Sequence, residues 1–188
     1  MRRVFAILIL GTSACSAIPS KASTLFEGDD EGWLIAGNGE STRPSFRATG
    51  GNPNGNLCAT DADPIEFFYF VAPGKFLGGM TDVAGKFLIF DLKINQQFNL
   101  QRGRDVVLNG GGISLVKGFP DTPGTDWTPR RVGFDTNSGW IVEGTNQAAT
   151  DDDLKAVLRN LTALRIRGEF VDGPQDTACL DNVYLGTP

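Results

Sequence analysis

The chain has 188 residues, 40% hydrophobic and 21% charged, with 17 basic and 22 acidic side chains. That is one domain's length with an ordinary apolar content, enough to bury a core and too weakly charged for a disordered chain. It has no histidine, which excludes Ser-His-Asp and Cys-His catalysis and every His-ligated metal, and leaves proton transfer to carboxylates, lysines, tyrosines and hydroxyls. At the start, Arg2 and Arg3 precede an unbroken apolar run, Val4 to Leu10, then small residues ending in Ser20-Lys21-Ala22. This is the pattern of a secretory signal peptide over 1–22, leaving 23–188 as one domain. The run is too short to span a bilayer, and no second apolar segment follows. Secretion to a periplasmic or extracellular space is the expectation, with two variants. Cys15 after Thr12-Ser13-Ala14 is a poor lipoprotein box that would give a lipid anchor, and Arg2-Arg3-Val4-Phe5 faintly resembles a twin-arginine signal.

Loss of Arg2, Arg3 and Lys21 leaves 14 basic and 22 acidic residues, a net charge of −8. So acidic a domain, with no basic cluster, is a poor match for nucleic acid or an anionic membrane; it suits solubility and hard cations. Cys58 and Cys179 remain. In an exported chain they most simply form one disulfide, the alternative being two free thiols. A bridge closing so long a loop stabilises by about 4–5 kcal/mol in the chain-entropy account.

After the loop-like Asn52-Pro53-Asn54-Gly55-Asn56, short apolar runs alternate with Gly, Pro, Asp and Asn. Ile65 to Ala72 reads as a central strand, apolar on both faces. Phe87 to Ile94 reads as a strand with Leu88, Phe90, Leu92 and Ile94 on one side and Asp91 and Lys93 on the other. Val106 to Asn109 and Ile113 to Val116 flank Gly110-Gly111-Gly112, a hairpin turn without the helix start or lysine that phosphate cradling needs. Arg131 to Phe134, Gly139 to Glu143, Leu164 to Phe170 and Ala178 to Leu185 bring the total to about nine strands at sandwich-like spacing. One helix interrupts them. Thr150 is its N-cap, Asp151, Asp152 and Asp153 face the positive end of its dipole, and Leu154, Val157, Leu158 and Leu161 form its apolar stripe.

The run Phe67 to Gly78, with its Tyr69-Phe70, Ala72-Pro73 and Phe76-Leu77-Gly78, resembles the core of the laminin B domain (laminin domain IV). Further matches fall in order. They are Glu31-Gly32-Trp33, Gly85 to Leu92, Trp127 to Phe134 with Trp140, Leu158 through Arg167, and Leu180-Asp181-Asn182-Val183-Tyr184-Leu185. Two departures stand out: the cysteine-rich repeats that flank the domain in laminins are absent, and Met80 to Ala84 lacks an aromatic residue. A stand-alone secreted member is therefore expected. The resemblance implies an all-β fold, a galactose-binding-like jelly-roll β-sandwich with one short α-helix, and a non-catalytic recognition or adhesion role.

The same fold in carbohydrate-binding modules often holds a structural calcium, which here would bring Glu27 together with Asp181 and backbone carbonyls. The opposing reading has Glu27 capping a turn and Asp181 holding loop amides. Candidate sugar platforms are Trp33, Trp127 and Trp140, with Phe119 and Tyr184, although all three tryptophans also fit core packing. Arg165 and Arg167 share a strand face and would bind carboxylate or sugar hydroxyls, or pair with neighbouring acids. The expected partner is carbohydrate or another extracellular protein. The alternatives are a purely structural protein-interaction domain and a small glycoside hydrolase using two carboxylates, of which none stands out from surface charge. Asn160-Leu161-Thr162 is formally a glycosylation sequon.

Overall fold

A computed structural model describes residues 21–37, 40–61, 67–171 and 176–187; the expected signal segment up to Ser20 lies outside them. In chain order the strands are β1 (Ala22–Thr24), β2 (Leu34–Gly37), β3 (Glu40–Thr42), β4 (Ser45–Arg47), β5 (Asn56–Thr60) and β6 (Tyr69–Val71), then β7 (Phe87–Ile94), β8 (Val106–Gly110), β9 (Ile113–Lys117), β10 (Thr128–Gly133) and β11 (Ile141–Val142). The helix α1 (Asp151–Arg159) follows, then β12 (Leu161–Arg167) and β13 (Thr177–Thr187).

Two antiparallel sheets enclose one core. The first has the order β10-β7-β13-β5-β4, with β1 also paired to β13; the second runs β11-β9-β8-β12-β6-β2-β3. The β7 alternation decides which side faces in: Leu88, Phe90, Leu92 and Ile94 are buried, and pack with Phe70, Leu108, Leu115, Leu164 and Ile166 of the other sheet. The first and last strands lie side by side, Ala22 opposite Leu185 and Thr24 opposite Val183. Ala22, the last residue of the expected signal segment, is thus already in a strand. A register shift between Asp181 and Tyr184 lets β13 pair with β5 before it and with β1 after it.

The β8–β9 connection is the expected hairpin. Gly111 and Gly112 both have positive φ, 58° and 82°, as a type I′ turn requires. The helix is held by a complete capping box between Thr150 and Asp153 and packs against β8 and β9. It ends at Arg159. Leu161, expected on its stripe, is buried instead as the first residue of β12, where its N–H bonds to Gly78 O. The expected strand from Ile65 shrinks to Tyr69–Val71, with 62–66 outside the described residues. Gly139 to Glu143 contributes only the two-residue β11. The additional strands β1 to β5 are only three to five residues long, too short to carry an apolar alternation that can be read.

Candidate functional site

Two of the three tryptophans are core, not platforms. Trp33 is 0% exposed, bonds Thr24 Oγ1 through Nε1 at 3.2 Å, and meets Phe26 and Phe76 edge-on. Trp140 is 1% exposed, donates to Gly133 O at 2.7 Å and stacks on Phe134. Each indole finds its partner inside, so the large apolar body is worth more buried than displayed. Trp127 is half-buried on the outer side of the six-stranded sheet, its Nε1 on Gly50 O at 3.2 Å and Lys93 Nζ 4.3 Å over its ring. Phe119 is half-buried, meets Phe90 edge-on and lies under Arg130; Tyr184 is half-buried beside Ile89 on β7.

Arg165 and Arg167 share one face of β12, as alternation requires, yet they part in role. Arg167 is 1% exposed, lies against the rings of Phe67 and Phe170, and reaches Gln101 O at 3.2 Å and Asp105 Oδ1 at 3.5 Å. Among the described residues its Nε and Nη2 have no hydrogen-bond partner. Burial raises the Asp105 carboxyl, and the Phe119 N–H and Arg167 pull it back. Arg165 stays half-buried, with Nη1 on Asn109 Oδ1 at 3.2 Å.

Arg165 lies at the centre of the outer face of the seven-stranded sheet. Register places Leu34, Val71, Arg165, Val107, Val116 and Ile141 in one row across six strands. Beside that row, half-buried Tyr69 stands opposite Ala36 and Arg167. Desolvation raises its hydroxyl above its ordinary value, and Arg104 and Arg167 oppose this. Asn109 bonds Ser114 and Arg165, and an open groove of about 460 Å³ runs off the face past Asn109, Ser114, Asn160 and Thr162 over the glycine turn. The arrangement offers an aromatic ring, a guanidinium, amides and hydroxyls on a rigid sheet. Those groups suit a ligand rich in hydroxyls. The acids of this neighbourhood are engaged: Glu143 pairs with Arg104, and Asp105 with Arg167. Tyr69 and Asn109 escaped the sequence reading because each looks like an ordinary strand residue until its neighbours across the sheet are known.

The Asp181 corner lies on the outer side of the other sheet. Asp181 is 0% exposed; one oxygen accepts Asn52 N–H at 2.6 Å and the other Asn182 N–H at 2.7 Å. Asp91, opposite it on β7, accepts the side-chain amides of Asn52 at 3.0 Å and Asn182 at 2.8 Å. Burial raises the Asp181 carboxyl despite both amides, and Asp91 adds to the rise. A Cβ on Gly51 would meet Gly55 O, Asp181 Oδ2 at 2.7 Å and Asn54 O at 2.8 Å; a Cβ on Gly55 would meet Phe26 O. Carboxylate and carbonyl oxygens therefore converge where only glycine fits, a donor set that suits a hard cation. Glu27 is exposed on the opening turn, which reaches this corner through the Phe26 carbonyl. It is Glu31 that caps the turn, accepting the N–H groups of Leu25 and Phe26. Among the described residues no three acidic or cysteine side chains gather to hold a metal, so a cation here would rest on carbonyls with Asp181.

On the same outer face, Cys58 and Cys179 are directly opposed on β5 and β13 and form the expected disulfide, with Cα atoms 4.1 Å apart. At one end of the molecule the carboxyls of Glu169 and Asp176 are buried near Asp61. Desolvation and those neighbours push Glu169 up to about 7.

The laminin B (domain IV) family profile matches residues 69–187. The chain belongs to the laminin B (domain IV) family. It is 30% identical to laminin subunit gamma-1 of Danio rerio over 174 residues, 89% of this chain and 10% of that protein. To laminin subunit gamma-2 of Homo sapiens it is 27% identical over 185 residues, 88% of this chain and 13% of that protein. It thus spans about a tenth of the laminin subunits it matches. Among solved structures, the L4b domain of human laminin alpha-2 superposes with a TM-score of 0.71 at 11% identity, covering 89% of this chain and 98% of that one. A family 11 carbohydrate-binding module from Clostridium thermocellum, in complex with a β-1,3-1,4-mixed-linked tetrasaccharide, gives a TM-score of 0.53 at 17% identity, covering 90% and 96%. This laminin B-type module therefore shares its jelly-roll sandwich with carbohydrate-binding modules.

Proposed function

We propose that this laminin B-type domain is an exported, non-catalytic recognition module that binds carbohydrate on the outer face of its seven-stranded sheet. The observation that carries the reading is the placement of Tyr69 and Arg165 on a rigid sheet face, with Arg165 bonded to Asn109, which lines an open polar groove. A ring to stack on and directional donors and acceptors are what hydroxyl-rich ligands need. The fold likeness to a module solved with a tetrasaccharide agrees with this. Export rests on the signal-like segment 1–22, and no helix among the described residues is long and apolar enough to cross a membrane. A calcium ion held by Asp181 with the carbonyls around Gly51 and Gly55 would pin the 50–55 loop to β13; its chemistry there is structural, fixing the loop by charge.

A glycan array, followed by titration of the best oligosaccharide, tests the reading. Binding lost in Tyr69→Ala and Arg165→Ala, with folding intact, is the expected result. A second reading has its own observation. The apolar row Leu34, Val71, Val107, Val116 and Ile141 would also suit a protein partner. Silence across glycans together with self-association in sedimentation would favour it.

A further inference from the structure

We infer a second binding site, for an acidic sugar, at the open side of the sandwich between the two sheets. It is a groove of about 300 Å³ lined by Phe87, Lys117, Phe119, Arg131, Gly133 and Ser138, among others. That volume is at the lower end of small-ligand sites, which run from about 300 to 1,000 Å³.

Two cations flank the groove, one from each sheet. Lys117 ends β9 of the seven-stranded sheet, and Arg131 lies on β10, the edge strand of the six-stranded one. Neither makes an ion pair among the described residues, whereas the adjacent Arg130 is buried and bound to Asp121 at 2.9 Å. The Arg131 guanidinium stacks on the Phe87 ring at 3.4 Å, which fixes its plane and leaves its N–H fork for a ligand. The Lys117 ammonium lies 3.1 Å from where a Cβ would stand on Gly139, a position with φ of 75°, so a side chain there would push the cation aside.

The remaining wall explains why the ligand should be a sugar acid and not a bare anion. Ser138 Oγ donates to Asp135 Oδ1 at 3.1 Å, and Asn137 N–H donates to the same oxygen at 2.9 Å. With its proton engaged, the Ser138 hydroxyl accepts from the ligand side. The Asp135 carboxylate sets a negative charge beside that hydroxyl. The groove therefore offers the Lys117 ammonium and the Arg131 fork to an oxyanion and the Ser138 hydroxyl to a ligand hydroxyl. A hexuronate or a sulfated hexose carries both on one ring.

Calorimetric titration of the purified protein tests the inference with three probes: a galacturonate oligomer, a sulfated hexosamine-containing disaccharide and a neutral glucan oligomer. At low salt, one or both acids should bind and the neutral glucan should bind at least about tenfold more weakly; affinity should fall several-fold on raising salt past 0.15 M. The uronate and sulfate arms tell which oxyanion is preferred. Lys117→Gln with Arg131→Gln should weaken acid binding at least about tenfold, while Lys155→Gln on α1 leaves it unchanged. Should the double variant melt early, Arg131→Lys alone reads the same contact, since it keeps the charge and removes the fork. No heat with either acid, equal affinity for the neutral glucan, or binding indifferent to these substitutions overturns the inference. The sheet-face variants Tyr69→Ala and Arg165→Ala test the other site separately, so either reading can fail alone.

Discussion

The two outer faces of the sandwich treat their polar groups in opposite ways. On the six-stranded sheet, Asp91 and Asp181 are tied down by Asn52 and Asn182, Cys58 is bonded to Cys179, and Lys93 reaches Gly50 O at 2.8 Å beneath Trp127. Asp91, Asp181, Asn182 and Lys93 together clamp the 50–55 loop onto β7 and β13. On the seven-stranded sheet, Tyr69 and Arg165 stand half-buried in and beside an apolar row, and Asn109, bonded to Arg165, leads to an open groove. A face whose groups are satisfied internally contributes stability; one that leaves donors and rings accessible is free to bind.

The comparison predicts an ordered series of effects. Replacing both Cys58 and Cys179 by alanine should cost about 4 kcal/mol, because the bridge closes a loop of 121 residues. Urea unfolding under non-reducing conditions measures this, and a loss below about 1 kcal/mol would show that the clamp does not depend on the bridge. Asp181→Ala should cost about 2–4 kcal/mol, since the Asn52 and Asn182 N–H groups lose their acceptor inside the fold. Chelator should lower the melting temperature of the wild-type protein and leave that variant unmoved.

Next comes pH. The Glu169 carboxyl is raised from 4.5 to about 7 by burial, with Asp61 and Asp176 adding to the rise. The folded state therefore holds this proton more tightly than the unfolded chain does. The stability it confers is full below about pH 4.5 and falls as pH climbs through 7, by on the order of 2 kcal/mol after allowing for partial solvation. Glu169→Gln should flatten much of that slope between pH 5 and 8. A smaller slope of the same sign should remain, because burial also raises Asp176 and Asp105. The smallest effect belongs to the binding face. Tyr69→Ala and Arg165→Ala should each change stability by less than about 1 kcal/mol while reducing glycan affinity at least about tenfold. A large stability loss from either would erase the distinction between the faces.

Much of the architecture was legible along the chain. The β7 alternation, the Gly110–Gly112 hairpin, the Thr150 cap and the pairing of the two cysteines each follow from local pattern or simple counting, and the structure shows all four. The site was harder to read. Trp33 and Trp140 have the chemistry of platforms, yet each indole N–H has an internal acceptor, which no linear pattern reveals. Arg165 and Arg167 look equivalent two residues apart; the loop carrying Gln101 and Gly103 covers one and not the other. Glu27 was the natural acid for the first turn, but the turn's geometry gave that role to Glu31.

What the sequence determined by itself is the layer: the period of two, the turn glycines and the helix cap are short-range properties that leave few alternatives for each segment. Which residues face a ligand was decided only by the tertiary structure. That choice depends on register across strands far apart in the chain and on which loop folds over which end of a sheet. Burial is a property of neighbours, and in a sandwich closed by long-range pairing most neighbours are distant in sequence.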